Sequence, residues 1–252
     1  MKVNILDCPY YSTTLKEITK FLITHIKNNG PLVQIITVNS SILVNSRKDL
    51  RLQGILKDNH NIVVCDGQPI VWASKLLKNP LPERVSGIDL MNELLCLANE
   101  MGIRVYFLGS TDRTLLKMID NITIKYPRLN IVGYRNGYFN EEEIEVICKE
   151  LSECKPDILF VAMGSPKQEY FIDRIKNKIL MDVNVAIGVG GSFDVLAGIR
   201  KRAPKWMQQI GMEWFYRMIQ EPRRLFKRYL YSNTMFIILI IKEICVNYFK
   251  RK

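Results

Sequence analysis

Residues Asp157 to Glu169 read DILFVAMGSPKQE, and this stretch limits the fold more than any other in the 252-residue chain. Ile158, Leu159, Phe160 and Val161 are apolar in succession, without polar alternation, so they read as a strand buried on both faces. Ala162-Met163-Gly164 lets the backbone turn tightly. Ser165-Pro166 then opens a helix, with Ser165 as N-cap, Pro166 at the first helical position and Glu169 one turn on. Such a turn leaves unpaired N–H groups facing the end of a parallel sheet, where α/β proteins bind ligands, anions especially. On spacing alone an ordinary βα turn fits equally well, so the weight rests on the rest of the chain.

That rest repeats the same alternation. Further strands are expected at Met1–Asp7, Gln34–Val38, Asn61–Cys65, Arg104–Leu108, Asn130–Tyr134 and Val183–Val189. Helices are expected at Thr13–Lys27, Ser41–Lys57, Pro69–Leu77, within Gly87–Met101, after Gly109-Ser110 to about Tyr126, at Glu141–Glu153 with Asn140 as cap, and at Pro166–Lys178. This order predicts an α/β domain over residues 1–199, a Rossmann-like, doubly wound and mostly parallel sheet with helices on both faces. After Gly198 the pattern changes. Helices are expected at Pro204–Gln220 and Pro222–Ser232, then an apolar face of Ile237, Ile240, Ile241, Ile244, Cys245 and Tyr248 at helical spacing. Residues 200–252 therefore read as a helical C-terminal appendage.

Charge sets that appendage apart. The chain holds 36 Lys/Arg and 25 Asp/Glu, a formal net charge of +11. Beyond Ile199 there are 13 Lys/Arg and three acids, whereas residues 1–199 hold 23 and 22. A neutral body with a strongly basic tail implies an anionic partner: lipid headgroups, nucleic acid or a phosphorylated substrate. The longest uninterrupted apolar run, Met235–Ile241, is seven residues, against the roughly 20 that cross a bilayer. The tail is thus expected to lie on a membrane and not to span it. Six cysteines without a CxxC pair and only two histidines argue against a zinc site and fit reduced thiols in the cytosol. The N-terminus does not read as a signal peptide, because Asp7 and Pro9 interrupt the apolar stretch after Lys2.

Five groups collect at the C-terminal edge of the expected sheet: Thr37 with Asn39, Asp66, Arg84, Gln168 and the Gly190-Gly191 turn. Asp66 follows a buried strand and precedes Gly67, which holds its carboxylate at the rim; Asp-Gly as a plain turn is the competing reading. Gly188-Val-Gly190-Gly191-Ser-Phe resembles a dinucleotide turn, but Phe193 stands where its third glycine belongs, which argues against a nicotinamide-dependent dehydrogenase. There is no P-loop, no HExxH, no GxSxG, and no Asp-x-Asp pair to hold a metal on a nucleotide diphosphate.

A series of short motifs runs from about residue 30 to residue 230: Thr37-x-Asn39, Asp66-Gly67-x-Pro69, Glu83-Arg84-Val85-x-Gly87-x-Asp89, Phe107-Leu108-Gly109, Gly164-x-Pro166-Lys167-Gln168-Glu169, Gly190-Gly191-x-Phe193-Asp194, Arg202-Ala203-Pro204, Glu213-Trp214-x-x-Arg217 and Glu221-Pro222-x-Arg224. Each is weak alone. In this order they resemble the WecG/TagA/CpsF family of bacterial glycosyltransferases. The resemblance implies an inverting, metal-independent enzyme without cofactor. It would move N-acetylmannosamine from UDP-ManNAc onto undecaprenyl-diphosphate-GlcNAc in a β-1,4 linkage, an early step of the wall teichoic acid linkage unit. A related UDP-sugar transferase for another surface polysaccharide is the alternative.

By the same resemblance, Asp66 matches the general base, and Thr37, Asn39 and Gln168 position the sugar. Gly164, Pro166, Lys167, Glu169, Gly190, Gly191 and Asp194 surround the donor. Arg84, with Arg217, Arg224, Lys227 and Arg228 of the appendage, takes the diphosphate's charge, since a guanidinium matches phosphate geometry bidentately. The implied location is cytoplasmic, peripheral on the inner face of the cell membrane, with an anionic lipid surface as partner; the oligomeric state, a homo-oligomer included, is left open. A nonenzymatic nucleic-acid-binding module would use the same basic tail, but no RNP-like, helix-turn-helix or zinc motif accompanies it, so no nucleic acid is expected.

Overall fold

The computed structural model describes residues 1–179 and 181–249. The chain opens with a hairpin, β1 (Lys2–Ile5) and β2 (Cys8–Tyr11), followed by α1 (Leu15–Lys27). Next come β3 (Val33–Val38), α2 (Ser40–Ser46), α3 (Leu50–Lys57), β4 (Asn61–Cys65), α4 (Gln68–Leu76) and α5 (Gly87–Met101). β5 (Arg104–Gly109), α6 (Asp112–Lys125), β6 (Asn130–Arg135), α7 (Glu143–Cys154), β7 (Ile158–Ala162), α8 (Lys167–Ile175), β8 (Val185–Gly188) and α9 (Ser192–Leu196) complete the body. Beyond it lie α10 (Lys205–Gln209), α11 (Glu213–Gln220) and α12 (Pro222–Phe249).

Six strands pair in parallel in the order β4-β3-β8-β7-β5-β6. Every residue of β3, β4, β7 and β8 is buried, the outcome expected of strands without alternation. On one face the sheet packs against α1, α5, α6 and α9 through Leu22, Leu94, Met118 and Phe193. On the other, α7 and α8 cover one end through Ile147 and Phe171, and α2, α3 and α4 cover the other through Leu43, Leu52 and Ile70. The expected α/β architecture with helices on both faces is present, and the carboxyl ends of β4, β3, β8 and β7 open side by side.

Local chemistry explains where the elements depart from expectation. The helix expected over Ser41–Lys57 is two, because Asp49 starts a second one by accepting from Leu52 N at 3.0 Å. Ser165 does not cap α8: Pro166 is itself the cap residue, after a cis Ser165–Pro166 peptide bond. Asn140 does cap α7, accepting from the N–H groups of Glu142 and Glu143 at 3.0 and 3.1 Å. The helix expected over Pro204–Gln220 breaks at Gly211, whose φ of +69° suits glycine and ends α10. The Cys8–Tyr11 strand went unanticipated, since Pro9 argues against a strand except at an edge.

After Pro222 nothing breaks the helix, so α12 continues through Ser232 for 28 residues. The expected apolar face of the tail divides in two. Ile240 turns inward with Leu225, Tyr229 and Phe236, and Phe236 and Ile240 join the core around α2, whereas Ile237, Ile241 and Ile244 face outward with Phe226 and Leu230. Tyr248 lies outside the side chains described, and Lys250, Arg251 and Lys252 lie outside the described residues. Because α12 is continuous, Pro222–Val246 is long and apolar enough to cross a membrane by length and composition, which the count of uninterrupted apolar residues did not anticipate. Its inner face is nevertheless bound to the body.

Candidate active site

A cleft of about 710 Å³ lies over the carboxyl ends of the central strands, roofed by α11 and the start of α12. Nine Lys/Arg and five Asp/Glu line it, so its field favours an anion. A smaller cavity of about 100 Å³ adjoins it, between α4, α11 and α12. Thr37, Asn39, Asp66, Glu213 and Arg217 line both.

Asp66 stands directly after β4, its N–H donating to Val38 O at 3.0 Å. Burial pushes its carboxyl up to about 7; the Arg84 and Arg217 guanidiniums pull it down, and the Glu213 and Asp89 carboxylates push it further up. An acid whose folded value exceeds its ordinary one costs stability as pH rises from that ordinary value to the folded one. Asp66→Asn is therefore expected to melt about 5 °C above the wild type at pH 8, a gain that shrinks toward pH 4. Thermal melts across that range check it; a gain independent of pH would mean that Asp66 is not held protonated.

Thr37, the last residue but one of β3, donates from Oγ1 to Gly188 O at 3.3 Å. Asn39 caps α2, accepting from the N–H groups of Ser41 and Ile42 at 3.1 Å. Gln168, in the first turn of α8, accepts at Oε1 from Gly190 N at 3.0 Å and donates from Nε2 to Glu169 Oε1 at 2.9 Å. Its amide lies so close to β8 that a Cβ on Gly188 would sit 2.5 Å from Nε2, so a side chain there would displace Gln168 from its place. Glu169 is 2 % exposed and absent from the cleft wall, so it stands beneath Gln168 and orients it instead of touching a ligand. Burial raises its carboxyl's pKa, and the hydrogen bond from Gln168 opposes that rise. Gly164, Lys167, Gly190, Gly191 and Asp194 line the cleft, and Pro166 does not.

The cations are arranged differently from the sequence-based expectation. Arg84 lines only the smaller cavity, where Nη1 donates to Glu213 Oε2 at 2.8 Å and Nη2 lies 3.6 Å from Asp89 Oδ2. It thus pairs with two carboxylates beside Asp66 and does not line the larger cleft. Arg217, Arg224 and Arg228 do line the cleft, and Lys227 does not. Arg200, Arg202, Glu213 and Glu221, not among the site residues expected from the sequence, lie among them. Arg200 joins Asp194 at 3.0 Å and Glu221 at 2.6 Å, and Glu221 in turn holds Arg224 at 2.6 Å. The Arg202-Ala203-Pro204, Glu213-Trp214 and Glu221-Pro222 motifs carried a signal for three of these four.

Among the described residues, no three His, Cys, Asp or Glu side chains come together as metal ligands. The "Glycosyl transferase WecG/TagA/CpsF family" profile matches residues 3–250. The chain belongs to the WecG/TagA/CpsF family of glycosyltransferases. That match extends over α10, α11 and α12 as well as the sheet. Relatives named N-acetylglucosaminyldiphosphoundecaprenol N-acetyl-beta-D-mannosaminyltransferase include one from Bacillus subtilis, 35% identical over 95% of this chain and 91% of the relative. Others of that name, from Bacillus spizizenii and Staphylococcus aureus, are each 32% identical over 96% of this chain and cover 90% and 92% of the relative.

Proposed function

We propose that this member of the WecG/TagA/CpsF family transfers N-acetylmannosamine from UDP-ManNAc to the GlcNAc 4-hydroxyl of undecaprenyl-diphosphate-GlcNAc, an early step in wall teichoic acid linkage-unit synthesis. The observation that carries the mechanism is Asp66: a carboxylate with raised proton affinity at the floor of a cationic cleft. The acceptor hydroxyl gives its proton to the Asp66 carboxylate while its oxygen attacks the anomeric carbon. The bond from that carbon to the UDP oxygen breaks, and inversion gives the β-linkage. A base titrating near 7 is about half ionised at neutral pH yet basic enough to take that proton.

Thr37, Asn39 and Gln168 hold the sugar's hydroxyls and N-acetyl group, with Gly164, Lys167, Gly190, Gly191 and Asp194 around the nucleotide. Arg217, Arg224 and Arg228 neutralise the departing diphosphate. Arg84 serves the base rather than the leaving group.

Residues 1–199 are the catalytic domain in this reading, and 200–252 cover the cleft and rest on the inner face of the membrane. The outward row Phe226, Leu230, Ile237, Ile241 and Ile244 would enter the headgroup region while the inner face of α12 stays on the body.

One assay tests the proposal. Purified protein incubated with several UDP-sugars and a water-soluble GlcNAc-diphosphate-lipid analogue should yield the ManNAc-GlcNAc disaccharide, read by mass, from UDP-ManNAc. Product from none of the UDP-sugars sinks it. The same turnover is expected in EDTA, because cationic side chains line the cleft where other transferases place a metal-binding Asp-x-Asp. Activity lost in chelator and restored by Mg²⁺ or Mn²⁺ would show the leaving-group assignment to be wrong.

A further inference from the structure

Three ion pairs tie the α/β body to the segment beyond Ile199 among the described residues: Asp194 with Arg200, Asp89 with Arg202, and Arg84 with Glu213. Only the last places a carboxylate of the C-terminal helices beside the base. Glu213 opens α11, and its side chain is 12 % exposed. Oε2 accepts from Arg84 Nη1 at 2.8 Å, while Oε1 lies 3.5 Å from Arg217 Nη2 and 3.8 Å from Arg202 Nε. Arg202 cannot take over this task. Its Nη1 and Nη2 are held by Asp89 at 2.5 and 2.7 Å, and its buried Nε has no hydrogen-bond partner. Three guanidiniums thus share two carboxylates next to Asp66.

We infer that Glu213 is a positioning residue for the general base: by engaging Arg84 and Arg217 it keeps their charge from collapsing onto Asp66, and it can do so only while α11 is docked on the sheet. The inference rests on Asp66 being the base. The charged and titratable groups around Asp66 are Arg84 from the loop before α5, Asp89 from α5, Arg202 from the segment before α10, Glu213 and Arg217 from α11, and Cys65 on its own strand. With Glu213 neutral, Asp89 alone is left to balance three cations beside Asp66, so the ionised form of Asp66 gains and its basicity falls. Docking of the C-terminal helices would thereby set the strength of the base as well as close the cleft.

The test is the pH dependence of kcat/KM with a water-soluble acceptor, where membrane affinity has no influence. In Glu213→Gln the amide oxygen can still accept from Arg84, so α11 should stay docked, which the melting temperature and UDP affinity verify. The acidic limb is expected to move down by about one pH unit and the plateau to fall about three- to tenfold, as a weaker base requires. Glu213→Asp should return the limb part of the way. Arg84→Gln removes a positive charge and should move the limb up, and it decides the matter if Glu213→Gln does not fold. Limbs at the wild-type pH in these variants would reduce Glu213 to a structural contact and overturn the inference. A fully active Asp66→Asn enzyme would instead remove the base itself, so the two failures are distinguishable.

Discussion

Asp66→Asn is expected to cut turnover by about 10²–10⁴ while leaving UDP affinity nearly unchanged, because the amide keeps the shape of the side chain but cannot take a proton. The size of the loss follows from the role. General-base assistance is realised in the transition state, when the acceptor oxygen has begun to bond, so kcat should fall and KM for the donor should not. The substitution also removes a carboxylate that burial and its neighbours hold at about 7, so the variant should be at least as stable as the wild type at neutral pH. A low rate could then not be blamed on unfolding. Steady-state kinetics alongside UDP titration checks both halves; near-normal turnover would take Asp66 out of the mechanism.

Removing Arg217 and Arg224 together should lower kcat/KM by about 10³, taking about 2 kcal/mol for each lost charge-assisted hydrogen bond to phosphate. Both line the cleft, and alanine at these positions leaves Glu213 paired with Arg84 and Glu221 paired with Arg200, so no buried carboxylate is left uncompensated. The loss should appear with a water-soluble acceptor as well as with the lipid. That separates leaving-group stabilisation from attraction to anionic headgroups, which is worth about 1 kcal/mol per basic residue near a membrane. Vesicle co-sedimentation should change much less than turnover, since the outward apolar row of α12 is untouched. Turnover within a few-fold of wild type on the soluble acceptor would confine these arginines to the membrane surface.

The parallel sheet, β7 with its glycine turn, and the place of Asp66 at a strand end were legible in the sequence. So was the division between a neutral body and a basic tail. Each of these depends on residues a few positions apart: strands covered on both faces lose their polar alternation, and glycine and proline mark where the chain turns. Tertiary structure alone decided that Arg84 pairs with Glu213, 129 residues further on, and that Glu221 holds both Arg200 and Arg224. It alone placed Glu169 beneath Gln168, and turned Ile240 inward beside an outward Ile241 on α12. Charge has no periodicity. Among 36 cations and 25 acids a partner is chosen by distance in the folded chain, where Coulomb attraction acts across a few ångströms whatever the separation in sequence. Burial of a single side chain likewise depends on which element packs over it, and here the covering helices come from the far end of the chain.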